Sequence, residues 1–307
     1  MRRSVQAGFG MTIAAVLLAA SPALAQPAQC LARGTAQWVV DSTLLGLINP
    51  LGFEEQLTAK ACLPLIDEPG ILFDYTQFET GLFTYVGPIY AHVGGFMAIS
   101  PLSFLVLKAE ASGVGFWTVP MDGAGYTPQS RYRDSIPDAE MPANRLLSTS
   151  GANVAFTATL QGAAPLGSRL QILASDAFGA DWWTVGRASH YLNFRRDVVL
   201  AREDWVVKNT ATVALDLRAN DEVFIRVGAI DDLTYVPGVP GSDWNYVLNQ
   251  LTGYFSVFVR RNSKLRDIEP YVRVGGYTHG AASRRSAVTV MTGISLAWAL
   301  PIEGAPR

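Results

Sequence analysis

The sequence predicts an all-β chain: an antiparallel up-and-down transmembrane β-barrel of about ten strands, alternatively twelve, preceded by a short N-terminal helical segment. Three observations carry that expectation. Hydrophobic residues make up 49% of the 307 residues and charged residues only 16%, against roughly 25% charged in ordinary globular chains. Beyond the N-terminus, no stretch stays apolar for the ~20 residues a membrane helix needs; the candidates at 102–107 and 288–300 are strand-length or broken by Thr, Ser and Gly. From Ile71 onward, apolar residues recur with period two. A chain this apolar, with no spanning helix, fits a barrel that spreads its apolar residues over alternate strand positions.

The N-terminus comes first. Arg2 and Arg3, the apolar run around Ile13-Ala14-Ala15-Val16-Leu17-Leu18, and Pro22-Ala23-Leu24-Ala25 form the three-part pattern of a secretory signal cleaved after Ala25. Cys30 follows Pro27-Ala28-Gln29 and lacks the small residue a lipobox wants before its cysteine. Loss of Arg2 and Arg3 moves the formal charge from −2 to −4, which gives no electrostatic case for nucleic acid.

Residues 26–70 read as a periplasmic helical segment. Trp38-Val39-Val40, Leu44-Leu45, Leu47-Ile48 and Leu51 recur near helical spacing, with Glu54-Glu55 and Lys60 beyond, and Pro64 and Pro69 close the segment. It is expected to lie below the barrel, to plug it, or to pair along its wall. Export makes a Cys30–Cys62 disulfide the expected state of the two cysteines. It would close a loop of about 30 residues and contribute ~3–4 kcal/mol in the chain-entropy model.

The barrel is expected over 71–300, with 301–307 as a C-terminal tail. Strands are expected near 71–84, 88–99, 102–117, 151–162, 168–176, 197–217, 222–236, 244–260, 268–278 and 286–300. The last is the clearest: Val288, Val290, Thr292, Ile294, Leu296, Trp298 and Leu300 share one face, while Thr289, Met291, Gly293, Ser295 and Ala297 share the other. Periodicity alone fits a soluble sandwich as well, with the apolar face turned to a core. Loop lengths separate the two. Short and long connections alternate, and with a periplasmic C-terminus the long ones at 118–150, 176–196 and 237–243 all fall outside, as in membrane barrels. The stretch 182–217 is the disputed region, holding one long strand or three shorter ones. Aromatics near strand ends (Tyr85, Tyr90, Trp117, Trp182, Trp183, Trp205, Tyr235, Trp244, Tyr246, Tyr277 and Trp298) fit interfacial girdles.

The signal sequence, alternating strands, Pro-marked turns such as Ile99-Ser100-Pro101-Leu102 and long polar loops together resemble the Gram-negative outer-membrane β-barrel class. The resemblance covers roughly 71–300 and implies an outer-membrane location. Members of the class usually end on an aromatic residue; here the last strand ends near Trp298-Ala299-Leu300 and 301–307 follow.

For chemistry, the sequence points away from cofactors and metals: no spaced Cys/His set is present, and Asp231-Asp232 is isolated. Gly94-Gly95 and Gly113-Val114-Gly115 read as strand kinks, not phosphate loops. Membrane lipid hydrolases use a His–Ser pair, and Ser189-His190 is the adjacent pair here. Strand neighbours point to opposite faces, however, so the pair cannot bond unless the strand bulges. No catalytic residue is assigned, although His190 and His92 keep a lipid-modifying enzyme open as the alternative.

Charges at strand positions should face the lumen, because each would cost about 2–4 kcal/mol against lipid at the midplane. Glu79, Asp216, Arg218, Arg226, Arg260 and Arg273 form that set, either as a salt-bridged plug or as a pore lining. Ten strands enclose little more space than their own side chains fill, which favours the plug. Arg195, Arg196, Asp197, Arg202, Glu203 and Asp204 form the densest charge cluster, expected as an external solvated loop. A mixed-charge constriction, or an Arg site for lipopolysaccharide phosphates, is the other reading. The expected role is a non-enzymatic barrel, structural or a narrow porin-like channel. Its expected partners are outer-membrane lipid and either a small solute or lipopolysaccharide.

Overall fold

The computed structural model describes residues 35–48, 52–66, 72–73, 75–118, 128–129, 148–186, 188–193, 195–237, 247–261, 263–279 and 287–302. The signal segment, Cys30 and the tail beyond 302 lie outside them, as do Trp244 and Tyr246. In chain order the strands are β1 (Gln37–Ile48), β2 (Gly52–Pro64), β3 (Gln77–Val86), β4 (Tyr90–Leu102), β5 (Leu105–Trp117), β6 (Pro128–Gln129), β7 (Ser148–Pro165), β8 (Leu170–Val185), β9 (His190–Asn193), β10 (Val198–Ala201), β11 (Glu203–Arg218), β12 (Val223–Tyr235), β13 (Val247–Arg260), β14 (Leu265–His279) and β15 (Val288–Pro301). Twelve of them form a closed barrel in the order β1-β15-β14-β13-β12-β11-β8-β7-β5-β4-β3-β2, and β10-β9-β6 form a separate small sheet. The first and last strands join the ring, with Gln37 opposite Pro301 and Ile48 opposite Val290. Closure removes the exposed sheet edge that would otherwise template aggregation.

The ten strands expected over 71–300 are all present with shifted ends, and a closed ring replaces the two-sheet sandwich. The two further strands come from 37–64, where helices were expected. Among the described residues there is no helix. The misreading has a physical cause. Trp38, Leu44 and Ile48 face outward from β1, while Val39 and Leu45 face inward and are buried, Val39 against Cys62. Apolar residues on both faces arrive in pairs, and paired spacing mimics a helical period. β-Branched Val39, Val40, Thr43 and Ile48 and the mid-segment Gly46 favour the strand. In β2, Glu54 and Lys60 fall on the inward parity.

The disputed stretch contains the end of β8, the β9–β10 hairpin and one long strand, β11. β8 runs past the expected 176 because Trp182 and Trp183 continue its ladder with Trp205 and Asp204 of β11.

The connections sort by end. Those at the end carrying the termini (65–76, 103–104, 166–169, 219–222 and 261–264) include the tightest turns. The two longest, 118–147 and 186–202, join strands at the opposite end, as does 236–246, which is about as long as 65–76.

The wall's polarity is inverted relative to a soluble protein. Every barrel strand exposes a large apolar side chain outward, as with Leu44 on β1, Leu82 on β3, Phe156 on β7, Phe178 on β8, Phe255 on β13 and Ile294 on β15. Buried inside are Lys60, Glu79, His92, Asp181, Asp216, Arg226, Asp267 and Glu269. Strand parity divides the expected girdle. Trp117, Trp182, Trp205 and Tyr235 sit on the outward parity near the long-loop end. Tyr85, Tyr90, Trp183 and Tyr277 instead lie on the inward parity, and Trp183 is fully buried. Of the glycines read as kinks, Gly94 is required: a Cβ there would lie 2.3 Å from the Ala111 carbonyl oxygen and 2.7 Å from the Phe83 ring. Gly113 has nothing within 4 Å.

Candidate functional site

The segment between β8 and β11 does not project into solvent. It turns back as the β9–β10 hairpin, in which Tyr191, Leu192, Asn193, Val198, Val199 and Leu200 are all buried. Two short apolar runs, His190-Tyr191-Leu192-Asn193 and Val198-Val199-Leu200-Ala201, flank a charged tip. The runs need a covering surface, and the inner wall at this level supplies it. Tyr90, Val114, Phe116, Trp183, Val185 and Val206 pack against the hairpin in one cluster. Burying its five apolar side chains stabilises the packed state by roughly 10 kcal/mol gross, before the entropy of ordering the loop is subtracted.

His92 lies beside this cluster, ringed by Tyr85, Tyr90, Phe116 and Trp183 at centroid distances of 6.2, 5.7, 6.1 and 5.4 Å. Its Nε2 and the Trp183 Nε1 are buried without a hydrogen-bond partner among the described residues. This histidine is packed as an aromatic.

The tip crosses the lumen. Arg195 Nε is 3.4 Å from Glu54 Oε2 of β2, and its guanidinium lies 3.8 Å from the Tyr85 ring centroid on β3. The Tyr90 hydroxyl donates to the same Glu54 oxygen. Arg196 Nη2 donates to Asp181 of β8, whose other oxygen pairs with Lys208 Nζ of β11 at 2.9 Å. The Tyr277 hydroxyl of β14 donates to Asp197 Oδ2 at 2.9 Å. β8 stands across the ring from β2 and β14, so these contacts pin the tip from opposite sides. Asp197 holds a left-handed backbone, φ 53°, a conformation that aspartate adopts more readily than most residues.

Beside the tip a cavity of about 240 Å³ remains, lined by β11 to β15, the end of β1 and the hairpin itself. Arg195, Arg196, Lys208 and Arg273 line it, opposed by Asp197 and Asp232. Arg273 Nη2 lies 2.5 Å from Asp232 Oδ2 and donates to Thr252 Oγ1 at 3.0 Å.

The half of the lumen nearer the termini carries a second set of charges. Arg226 grips Asp216 through two bonds of 2.6 and 2.8 Å and lies 3.8 Å from Glu269. Tyr254 and Ser256 donate to Glu269 at 2.5 and 2.7 Å. Lys60 pairs with Glu79 at 2.9 Å, and Arg260 approaches Asp267 at 3.4 Å.

The structure brings together residues that lie far apart in the chain. Glu79, Asp216, Arg226 and Arg273 take part in these inner networks. Arg218 lies at the rim of the termini end, 2.7 Å from the exposed Asp221. The cluster read as external divides: Arg195, Arg196 and Asp197 fold inward, Arg202 and Glu203 are exposed, and Asp204 accepts from the Ala201 amide. A charge run flanked by apolar strands folds inward when carboxylates on the wall match it. Glu54, Asp181 and Lys208 were not singled out from sequence. Their signal is a charged residue on the inward parity of a strand.

Ser189 Oγ and His190 Nδ1 are 3.3 Å apart, because Ser189 lies in the bend before β9 and not within the strand. That overturns the geometric objection to the pair. The separation is longer than the 2.6–3.2 Å expected for a nucleophile and its base.

No family model matches the chain, and no curated protein matches it. Among solved structures, the translocator domain of the autotransporter NalP from Neisseria meningitidis aligns over 86% of this chain and 88% of its own, at 9% identity and TM-score 0.46. The β-domain of the Bordetella autotransporter BrkA covers 88% of this chain and 100% of its own, at 11% identity and TM-score 0.42. An outer-membrane channel from Pseudomonas putida F1 covers 90% and 100%, at 8% identity and TM-score 0.43.

Proposed function

We propose that the chain is exported through a signal peptide cleaved after Ala25, inserts as an outer-membrane barrel, and acts there as a narrow channel constricted by its own β9–β10 hairpin. The observation that carries this reading is the inverted barrel: an apolar outer wall around a polar lumen that the hairpin narrows without filling. The outward face of β11 from Trp205 to Leu217, apolar except at Asn209, which is bonded to Asp176 of β8, spans twelve residue steps. At about 3.3 Å per step and a tilt near 40°, that is roughly 30 Å of height, enough for the ~25 Å lipid-facing band of such barrels. Trp117, Trp182, Trp205 and Tyr235 mark one rim of the band, and Trp38 and Trp298, on the outward parity of β1 and β15, the other. The long connections then lie on the cell surface and the termini in the periplasm, where the fully buried Cys62 would pair with Cys30.

Planar-bilayer recording tests the channel. The refolded protein is expected to give small, discrete conductance steps, and deletion of 188–201 is expected to raise the step size several-fold. Silence from both proteins, each shown to be folded by heat-modifiable gel migration, overturns the reading.

A further inference from the structure

We infer that the cavity beside the hairpin tip is a selectivity site for a compact organic or inorganic oxyanion, a carboxylate or phosphate group on a small solute. The inference rests on the channel reading for its context, and on the cavity itself for its chemistry. Four cationic side chains face this space, Arg195, Arg196, Lys208 and Arg273, against two carboxylates, Asp197 and Asp232. The carboxylates that neutralise the hairpin arginines from behind, Glu54 and Asp181, do not line it. The excess of positive charge is therefore turned toward the open volume.

The donor supply is also in surplus. Arg196 Nε is buried with no acceptor among the described residues. Arg273 directs Nε and Nη2 at the single hydroxyl of Thr252, at 3.2 and 3.0 Å, while Asp232 takes Nη2 alone. An oxyanion is the acceptor such guanidinium donors lack, and Arg binds carboxylate and phosphate in fork geometry. Gln250, which donates to Thr289 at 2.8 Å, adds an amide and a hydroxyl on the same wall, suited to a hydroxylated solute. The volume of about 240 Å³ falls below the 300–1,000 Å³ of pockets for drug-sized ligands, so the guest has few heavy atoms.

Isothermal titration calorimetry of the full-length barrel in neutral detergent tests the site without requiring conduction. The probes are inorganic phosphate and glucuronate, with glucose as the uncharged control. Either anion is expected to bind with a Kd in the millimolar range or tighter, and the stronger of the two identifies the group preferred. Glucose is expected not to bind. Arg273→Gln is expected to weaken binding at least tenfold, and Lys208→Gln is a second variant should the first misfold. Equal binding of glucose, or no binding of either anion by the folded wild type, overturns the inference. In bilayers, a tenfold KCl gradient is expected to give a reversal potential of the sign set by chloride. A conducting barrel that favours potassium overturns the selectivity site and leaves the channel standing. Anion binding by a barrel that never conducts, even without its hairpin, removes the channel and leaves the site.

Discussion

Asp181 should behave as the latch that keeps the hairpin tip inside the barrel. It is fully buried and holds two cations at once, Arg196 from the tip and Lys208 from the neighbouring strand. Asp181→Asn keeps the shape and removes the charge. Losing one partner of a buried ion pair typically costs 3–5 kcal/mol. Here both cations keep about a fifth of their side-chain surface exposed, so solvent screening lowers the figure, and Asn still accepts one hydrogen bond. A cost of about 2 kcal/mol to the docked state is reasonable, equivalent to a roughly 30-fold rise in the undocked population at 1.4 kcal/mol per decade. Limited trypsin digestion reads that population, because the peptide bonds after Arg195 and Arg196 are reachable only when the tip leaves the lumen. Cleavage tracks the open fraction when opening and closing outpace proteolysis. Peptide mass spectrometry should show cleavage at 195 and 196 rising about 30-fold in the variant. Cleavage after the exposed Arg202 supplies the internal reference, expected to be unchanged. Equal rates at 195 and 196 in both proteins would refute the latch, and would mean that apolar packing alone holds the hairpin.

Other outcomes follow from the same structure. Arg226→Met leaves Asp216 and Glu269 buried without their cation and is expected to destabilise the barrel by about 3–5 kcal/mol, read as a lower urea midpoint in lipid vesicles; adding Asp216→Asn should recover part of the loss. Phe156→Arg, on the outward face of β7, is expected to cost up to about 2–4 kcal/mol in vesicles, whereas an effect near zero would place that face in water. Gly94→Ala is expected to cost about 1–3 kcal/mol, since its methyl meets Ala111 backbone and the Phe83 ring. Gly113→Ala, with open space around it, should be neutral or slightly stabilising in the same assay.

How much of this was legible beforehand depends on what each signal measures. Period two reports a strand with unlike faces, and it was readable wherever one face was uniformly apolar, as in β15 with Val288, Ile294 and Leu300 outward and Thr289 and Ser295 inward. It failed in β1, where Val39 and Leu45 made the inner face apolar too. The preferred count of ten therefore missed the two N-terminal strands, and the alternative count of twelve is the one the barrel has. The inner charges Glu79, Asp216 and Arg226 lie on the side where a charge on an apolar strand costs least, whereas Asp176 of β8 faces outward, bonded to Asn209 of β11. The site was not legible, because its parts are paired across the ring and not along the chain: Arg195 meets Glu54 from 141 positions away. Sequence proximity suggested one exposed cluster in 195–204, whereas strand geometry sends 195–197 and 202–203 to opposite destinations.

The hairpin also explains why the inner wall departs from a simple polar lining. A pore lined only with small polar residues has no use for Trp183, Phe116, Tyr90 and His92 on the inward parity of β8, β5 and β4, nor for imidazole and indole nitrogens without partners among the described residues. Leaving those two donors or acceptors buried costs about 1–3 kcal/mol each, a loss the wall tolerates only because the aromatic ring set covers the hairpin. The aromatic half of the lumen and the β9–β10 segment are thus complementary, each burying what the other would expose. If the hairpin were absent, apolar side chains would line a water-filled mouth. The apolar clamp therefore supplies most of the docking strength, and the ion pairs at the tip add the latch and set where the hairpin docks. Substitutions in the first group, such as Leu200→Ala, should raise cleavage at 195 and 196 while leaving ion selectivity intact. Substitutions at Arg273, remote from the clamp, should do the reverse. A single variant series in which both readouts move together would show that docking and selectivity are one property, and would overturn this division of roles.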